Sequence, residues 1–248
     1  MSITTLSQFN FKFKLKRGSQ SDSSVAELSL LKSIMEIISN SYSSSNSGCG
    51  SSGASIIKSA SGYHIEFYAT SVTYLSAVSL PLDYNMVINS LNCLRRQQDI
   101  LYNKYNYGIY YIDLNDIIVI DSDIFIYTNP DGIKPLNSSG NFIFNSPFYR
   151  NSISAFFSPE LIKLDKIPAT INYKCFYYSL GAFGIYCLFM KKLNNIDNIE
   201  DTIEKILKPI YQTKLYWMLL RSCSIDHERR SILLIWIILY AKPKIVIM

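Results

Sequence analysis

The stretch CFYYSLGAFGIYCLFM, from Cys175 to Met190, is 16 residues long and carries no charge. A second apolar stretch, SILLIWIILYA from Ser231 to Ala241, is 11 residues long. A membrane-spanning helix needs about 18–20 apolar residues, so both stretches are too short to cross a bilayer. They instead predict helices that are buried in a protein core, and we expect no membrane span.

The composition fits a folded protein without a nucleic-acid surface. The chain has 248 residues, which is enough for one large domain or two small ones. Hydrophobic residues make up 48% and charged residues 17%, which is typical of a globular chain. The net charge of +5 is spread along the sequence, apart from Lys12, Lys14, Lys16 and Arg17 near the start. This distribution does not indicate a nucleic-acid partner.

The cysteines and histidines do not predict a metal site or a disulfide framework. The five cysteines stand far apart, and only His64 and His227 could join them. A zinc site needs clustered ligands, and a disulfide framework needs a denser set of cysteines. The first residues, MSITTLSQFNFKFKLKRG, lack the apolar segment of a secretory signal. We therefore expect a reducing compartment and a cytoplasmic location.

Residues 1–80 predict a small unit with a few strands and one helix. Residues 9–16 alternate between apolar and polar side chains, which is typical of a half-buried strand. Apolar residues at helical spacing predict a helix over 23–39. A Ser/Gly-rich loop follows at 39–55, and two β-rich runs around Ser61-Gly62 predict a hairpin.

Residues 81–248 predict a second, larger unit. Apolar residues at helical spacing predict a helix within 82–105. The runs Ile117–Ile120 and Ile124–Tyr127 predict a hairpin, and the remainder of the chain predicts mainly helices. Strands and helices are segregated along the chain and do not alternate as βαβ units. The sequence therefore predicts an α+β fold.

Three short motifs in the larger unit follow one another along the chain. They are FFSPEL at Phe156–Leu161, YKCFYYSLGAFGIYCLF at Tyr173–Phe189 and RSCSIDHERRSIL at Arg221–Leu233. They resemble, in turn, the A-P-E element, the helix that begins W-S-L-G, and the late Asp-x-x-x-Arg pattern of eukaryotic-type protein kinases. The resemblance implies a bilobal kinase-like fold, with a reduced N-terminal lobe over 1–80 and a mainly helical C-terminal lobe over 81–248.

The same resemblance implies a buried ion pair between Glu160 and Arg230. In kinases the A-P-E glutamate meets the late arginine, and Glu160 and Arg230 are the matching residues here. A bidentate, desolvated pair of this kind ties the activation segment to the helical lobe. Its role is structural, so an inactive relative would keep it.

A shortened catalytic loop precedes these motifs. The segment GIYYIDLNDIIVID, at Gly108–Asp121, resembles the kinase catalytic loop and places Asp113 at the position of the catalytic aspartate. In an active kinase that aspartate would accept the proton of the substrate hydroxyl. Only two residues separate Asp113 from Asp116, so the loop is shorter than the kinase pattern. Phe176 stands where kinases have an aspartate that anchors this loop.

The metal-binding and nucleotide-binding elements depart from the kinase pattern. Asn129-Pro130-Asp131 stands in place of D-F-G, and an amide offers Mg²⁺ a neutral oxygen where a carboxylate is needed. If the protein were active, Asp116 and Asp131 would hold the metal. The G-x-G-x-x-G pattern at 48–53 follows the helix predicted over 23–39, whereas a glycine-rich strand and turn should precede it.

These features favour a catalytically inactive kinase-like protein, a pseudokinase, that binds a protein partner and needs no cofactor. The first alternative is a divergent active Ser/Thr kinase that uses ATP and Mg²⁺, with Asp113 as base, Asp116 or Asp131 for Mg²⁺, and one of Lys14, Lys16, Arg17 or Lys58 for phosphate. Glu27 or Glu36 would be the helix glutamate. The second alternative is a virion structural or membrane-associated protein with packing or anchoring helices. Degenerate kinase-like proteins occur among large DNA viruses, so the resemblance also implies a viral protein in the host cell cytoplasm.

Overall fold

The computed structural model describes residues 2–7, 10–15, 23–43, 54–59, 62–145, 155–193 and 199–231. These residues form a mixed α+β protein, as the sequence predicts. Two predicted features lie outside the described residues, namely the glycine-rich pattern at 48–53 and the apolar run after Ser231. Among the helices within the described ranges, none combines the length and the apolar character that a bilayer crossing requires.

An antiparallel sheet of four strands begins the chain. Its strands are β1 (Ser2–Ser7), β2 (Asn10–Lys14), β3 (Ser55–Ser59) and β4 (Gly62–Tyr68), in the order β1-β2-β4-β3. Strand β2 follows the predicted alternation, because Phe11 and Phe13 are buried while Lys12 and Lys14 are partly exposed. The Phe11 ring stacks on Phe67 of β4, so the buried side chains form the inner face of the sheet.

Helix α1 (Ser23–Ser43) packs against this sheet. It continues beyond the predicted helix 23–39, so the prediction of a loop over 39–55 is wrong for its first residues. That prediction relied on the polar composition of the segment. Ser41 Oγ donates to Ile37 O at 2.9 Å, a local hydrogen bond through which a serine side chain is accommodated inside a helix.

The rest of the described chain combines short strands with helices. The strands are β5 (Val72–Tyr74), β6 (Tyr107–Ile109), β7 (Ile117–Ile120), β8 (Ile124–Tyr127), β9 (Ile133–Pro135), β10 (Asn141–Phe144) and β11 (Ala169–Asn172). They form three small antiparallel sheets, β5-β7-β8, β6-β9 and β10-β11. The helices are α2 (Tyr84–Ile100), α3 (Pro159–Ile162), α4 (Cys175–Phe189), α5 (Ile199–Leu207) and α6 (Lys214–Ser222).

The central hairpin has the predicted bounds in both strands, β7 and β8. The prediction of a helical remainder is wrong for β10 and β11, which pair along their full length. Each of these two strands has only four residues and pairs with a segment far away in the sequence. Unlike β7 and β8, they have no partner run across a short turn, and a pattern of four residues by itself does not distinguish a strand from a loop.

Helix α4 is the buried helix that its apolar sequence predicts. Eleven of its side chains or glycines are buried, and they lie on all sides of the helix. The helix packs against both α2 and α6. A side chain at Gly184 would meet Leu91 of α2 and Leu219 of α6, so this glycine permits the close packing. The apolar surface of α4 is therefore covered by protein.

Two adjacent glutamines in α2 hold the central strands. Gln97 is buried, and its Oε1 accepts from Tyr127 N while its Nε2 donates to Tyr127 O, each at 2.8 Å. Its side-chain amide thus pairs with the backbone as a neighbouring strand would. Gln98 Oε1 accepts from Ile109 N at 2.7 Å. The two side chains therefore fix β8 and β6 against α2.

The turn between β7 and β8 forms hydrogen bonds with Thr70 and Ser71, which follow the first sheet. Asp121 and Ser122 have positive φ angles of 53° and 61°, the conformation that a tight type I′ hairpin turn requires. Asp121 Oδ1 accepts from the backbone N–H groups of Thr70 and Ser71 at 2.6 and 2.8 Å. Asp121 N donates in return to Ser71 O at 3.0 Å. These bonds join the predicted first unit to the hairpin of the second.

Opposite effects on stability are expected at the two turn residues. Asp121→Ala should lower the free energy of unfolding by about 2 kcal/mol, because two N–H groups lose a charged acceptor. Ser122→Gly should raise it by about 1 kcal/mol, because glycine adopts a positive φ without Cβ strain. Urea denaturation of the two variants measures both changes. A loss of stability in Ser122→Gly would contradict the turn described here.

Candidate functional site

The guanidinium group of Arg230 is buried and forms a bidentate ion pair with Glu160. Its Nη1 and Nη2 donate to Glu160 Oε1 and Oε2 at 2.5 and 3.0 Å. The Arg230 side chain has an exposed fraction of 0%, and the Glu160 side chain has 28%. The structure thus brings together the two residues that the sequence resemblance paired.

All five N–H groups of Arg230 have acceptors. Besides the two bonds to the carboxylate, Nε donates to Ser224 O at 2.7 Å and Nη2 donates to Ile225 O at 3.1 Å. The remaining Nη1 hydrogen points to Lys174 O at 3.4 Å. A buried charge is tolerated only when it is paired and its donors are satisfied, and both conditions hold here.

Three segments that are far apart in the sequence meet at this guanidinium. Glu160 belongs to α3, and Tyr178 of α4 places its ring centroid 5.2 Å from the guanidinium carbon, a cation–π distance. Ser224 follows α6. A side chain at Gly181 of α4 would overlap Ser222 of α6, so this glycine allows the two helices to approach. The site therefore unites all three motifs of the sequence analysis.

Asp113 lies at the start of a 3₁₀ turn, Leu114–Asp116, and is partly exposed. Its Oδ1 accepts from the backbone N and the side-chain Nδ2 of Asn115, each at 3.0 Å. This oxygen caps the turn. A general base would instead need to reach the proton of a substrate hydroxyl.

Asn129 joins this turn to the end of β8. Its Oδ1 accepts from Asp131 N at 3.0 Å. Its Nδ2 donates to Asp116 Oδ2 at 3.0 Å and to Tyr111 Oη at 2.9 Å. An aspartate at position 129 would bring a second carboxylate against Asp116, and such a pair needs a cation or a shared proton. The amide of Asn129 therefore satisfies Asp116 without a metal ion.

The predicted metal ligands Asp116 and Asp131 lie close to the predicted base Asp113. Burial, followed by the charges of Asp116, Asp131 and Asp113, raises the pKa of the Tyr111 phenol. The three carboxylates thus act on the same ring. In the part of the chain that the structure describes, no three His, Cys, Asp or Glu side chains are grouped as metal ligands. Metal binding by Asp116 and Asp131 stays a prediction.

Tyr127 occupies the interior next to these residues. It is fully buried, and burial raises the pKa of its phenol well above the ordinary value. Within the described ranges its hydroxyl has no hydrogen-bond partner. The hydroxyl lies against Gly132, where any side chain would overlap it. A neutral aromatic ring therefore fills the space beside Asp116 and Tyr111.

Cys175, the first residue of α4, contacts the shortened catalytic-loop segment. Burial raises the pKa of its thiol well above the ordinary value, so the thiol is protonated and can donate. Its Sγ lies 3.6 Å from Tyr110 O. The neighbouring Phe176 is buried, and its side chain has no polar atom. Cys175 thus provides a weak link between α4 and the loop beside the position that lacks the aspartate.

Of the candidates for the nucleotide end, Glu36 and Lys58 have other partners, and Lys16 and Arg17 lie outside the described residues. Glu36 of α1 accepts from Lys104 Nζ at 2.7 and 2.8 Å, and Lys104 belongs to the π-helical turn that extends α2. Its lysine partner therefore comes from outside the first sheet. Lys58 of β3 lies 5.8 Å from the ring centroid of Tyr63 and is exposed. The other candidate, Glu27, is partly exposed near the start of α1.

Three residues that hold the centre of the molecule, Gln97, Asp121 and Tyr127, are not among the functional candidates that the sequence indicates. For Gln97 a signal exists, because its spacing from Leu94 and Leu101 places it on the apolar face of α2. A polar residue on such a face needs a buried partner. For Asp121 and Tyr127 the sequence contains no comparable signal, since their roles depend on segments far away in the chain.

No family model matches this chain, and no curated protein matches it. Support for a function therefore comes from the motifs of the sequence and from the geometry of their residues. The Arg230 cluster and the Asp116–Asn129 contact provide that geometry.

A double-mutant cycle tests the buried pair. Arg230→Ala and Glu160→Ala should each lower the free energy of unfolding, by about 3–5 kcal/mol for the more costly change. The double variant should lose less stability than the two single variants together, because it leaves no buried charge without its partner. Urea denaturation gives all three values. The neighbouring surface pair of Arg229 and Asp226, at 3.4 Å, is the control, and Arg229→Ala should cost less than about 1 kcal/mol.

Two tyrosine-to-phenylalanine substitutions should change the free energy of unfolding in opposite directions. Tyr127→Phe removes a buried hydroxyl without a described partner, so it should raise the free energy of unfolding by about 1 kcal/mol. Tyr110→Phe removes a hydroxyl that donates to Asp131 O at 2.7 Å, so it should lower that energy by about 1 kcal/mol. Thermal and urea denaturation of both variants provide the comparison. A loss at Tyr127 equal to that at Tyr110 would show that its hydroxyl is bonded.

Proposed function

We propose that this chain is a kinase-like protein that does not transfer phosphate and acts as a protein-interaction module. The observation that carries the proposal is the cluster around Arg230. The kinase resemblance rests on three motifs, and residues from all three lie within contact distance of one guanidinium group. Unrelated surface charges would not be expected to share one buried arginine.

The order of elements around the shortened catalytic loop also supports a kinase-like fold. Asp113 precedes the hairpin β7–β8, and Asn129-Pro130-Asp131 follows the return strand. The Ser158-Pro159-Glu160 element comes next and opens α3. This is the order that the kinase pattern requires. The contact between Cys175 and Tyr110 further ties α4 to the loop, as the missing aspartate would.

The chemistry of the centre supports the absence of phosphate transfer. Phosphoryl transfer depends on a positioned base and on metal ions that neutralise the developing charge. One oxygen of Asp113 caps a turn, and Asp116 is bonded to the amide of Asn129. The ring of Tyr127 fills the adjacent interior. Each of these groups therefore makes contacts within the fold of the free protein.

A divergent active kinase is the second candidate, and one observation favours it. Asp116 N donates to Asp113 O at 3.1 Å, and Asn129 bonds to both Asp116 Oδ2 and Asp131 N, so the three aspartates lie within one small region. Two carboxylates together with nucleotide phosphates can suffice for Mg²⁺. In that case Asp113 would be the base, with Asp116 and Asp131 as metal ligands.

Nucleotide and metal binding separate the two candidates. We expect millimolar ATP with Mg²⁺ or Mn²⁺ to change the melting temperature of the wild-type protein by less than about 1 °C. A folded protein that does not bind ATP gains no stability from it. The matched variant is Asn129→Asp, which sets a second carboxylate against Asp116. It should be less stable than wild type without metal and regain at least about 2 °C with Mg²⁺.

A metal-dependent rise in the wild-type protein would overturn the proposal if Asp131→Asn abolished it. The exposed Asp165→Asn is the control for a general effect of removing a carboxylate. Incorporation of labelled phosphate into a generic protein substrate is then measured with wild type and Asp113→Asn. Incorporation that is lost in Asp113→Asn would establish the active kinase instead.

A further inference from the structure

Helix α6 and the residues just before it carry an exposed pair of aromatic side chains. Trp217 of α6 is 43% exposed and Tyr211, just before α6, is 57% exposed. Both rings make edge contacts with the buried Tyr216, with ring centroids 5.0 and 5.2 Å apart. The pair is therefore held in place before any partner binds. Exposed, ordered Trp and Tyr side chains are typical of the centres of protein interfaces.

Charges of both signs flank the aromatic pair. On α6 the exposed Lys214 and Arg221 lie about one turn before and after Trp217, on the same side of the helix. On α5 the exposed Glu200 and Glu204 lie one turn apart. Helix α5 packs against α6, so these glutamates and the two cations lie on neighbouring helices. We call these six exposed residues, Glu200, Glu204, Tyr211, Lys214, Trp217 and Arg221, the α5–α6 face.

The charges of this face do not neutralise one another within one copy of the chain. No ion pair joins the two glutamates of α5 to the two cations of α6 among the residues that the structure describes. The adjacent stripe of α5, Asp201 and Lys205, holds one charge of each sign and adds no net charge. The face is therefore neutral as a whole, with an acidic side and a basic side.

We propose that the α5–α6 face binds a second copy of this chain in a two-fold symmetric dimer. An acidic partner would meet the glutamates of α5, and a basic partner would meet the cations of α6. A second copy, rotated about a two-fold axis that runs between α5 and α6, sets α5 of each protomer against α6 of its partner and pairs opposite charges on both sides. Trp217, which lies between the two cations of α6, then packs against α5 of the partner. This interface depends on the described helices and not on kinase activity.

Sedimentation velocity of the full chain tests the dimer at low and moderate salt. The wild-type protein should sediment with twice the monomer mass, and its dissociation constant should weaken as salt rises. Trp217→Ala should weaken dimerisation by at least about tenfold, as expected for a central aromatic residue. Circular dichroism and a thermal melt establish that the variant is folded, since its ring is partly exposed in the monomer.

Charge reversal gives the sharper comparison. Glu200→Lys with Glu204→Lys should abolish self-association, and so should Lys214→Glu with Arg221→Glu, because like charges then face each other. An equal mixture of the two double variants should restore a dimer. The control is Lys163→Glu with Lys166→Glu, two exposed lysines after the start of α3 that should leave the dimer unchanged. A monomeric wild-type protein, or a mixture that stays monomeric, would overturn the proposal.

Discussion

Arg230 holds a positive charge at a position with no solvent exposure. Moving such an ion out of water costs several kcal/mol even after the surrounding protein relaxes. The cost is offset only when oxygen atoms from α3, from the start of α4 and from the loop after α6 all reach the guanidinium. These three segments are therefore coupled, since a shift of any one leaves a buried N–H group without an acceptor. The packing of α4 against α6 at Gly181 follows from the same requirement.

A second set of contacts holds the centre of the molecule through backbone groups. Gln97 binds both the N–H and the C=O of Tyr127, and Asp121 binds the N–H groups of Thr70 and Ser71. Asn129 caps its own turn while it bonds to Asp116. Backbone groups do not change when side chains are replaced. The contacts of Gln97 and Asp121 with the hairpin and its neighbours therefore do not depend on the side chains of Asp113 and Asp116.

The elements with clear local patterns could be predicted from the sequence. The helices α1, α2 and α4 follow from apolar spacing, and the hairpin β7–β8 follows from two apolar runs on either side of a short polar turn. The contact between Glu160 and Arg230 is the one that the resemblance of the motifs to protein kinases implies. The strands β10 and β11 could not be predicted, because each has four residues and its partner lies outside any local window. The role of Tyr127 could not be predicted either, since a buried aromatic residue in a strand is ordinary until Gly132 is placed against it.

An ion pair and a pair of carboxylates depend on ligands in different ways. Glu160 and Arg230 satisfy each other in the free protein, so their contribution to stability needs no bound molecule. Two facing carboxylates do not, because without a cation they repel and one of them must take up a proton. An amide at position 129 removes this repulsion and adds a hydrogen bond to Asp116. Without a bound cation, the fold is thus more stable with Asn129 than it would be with an aspartate at this position.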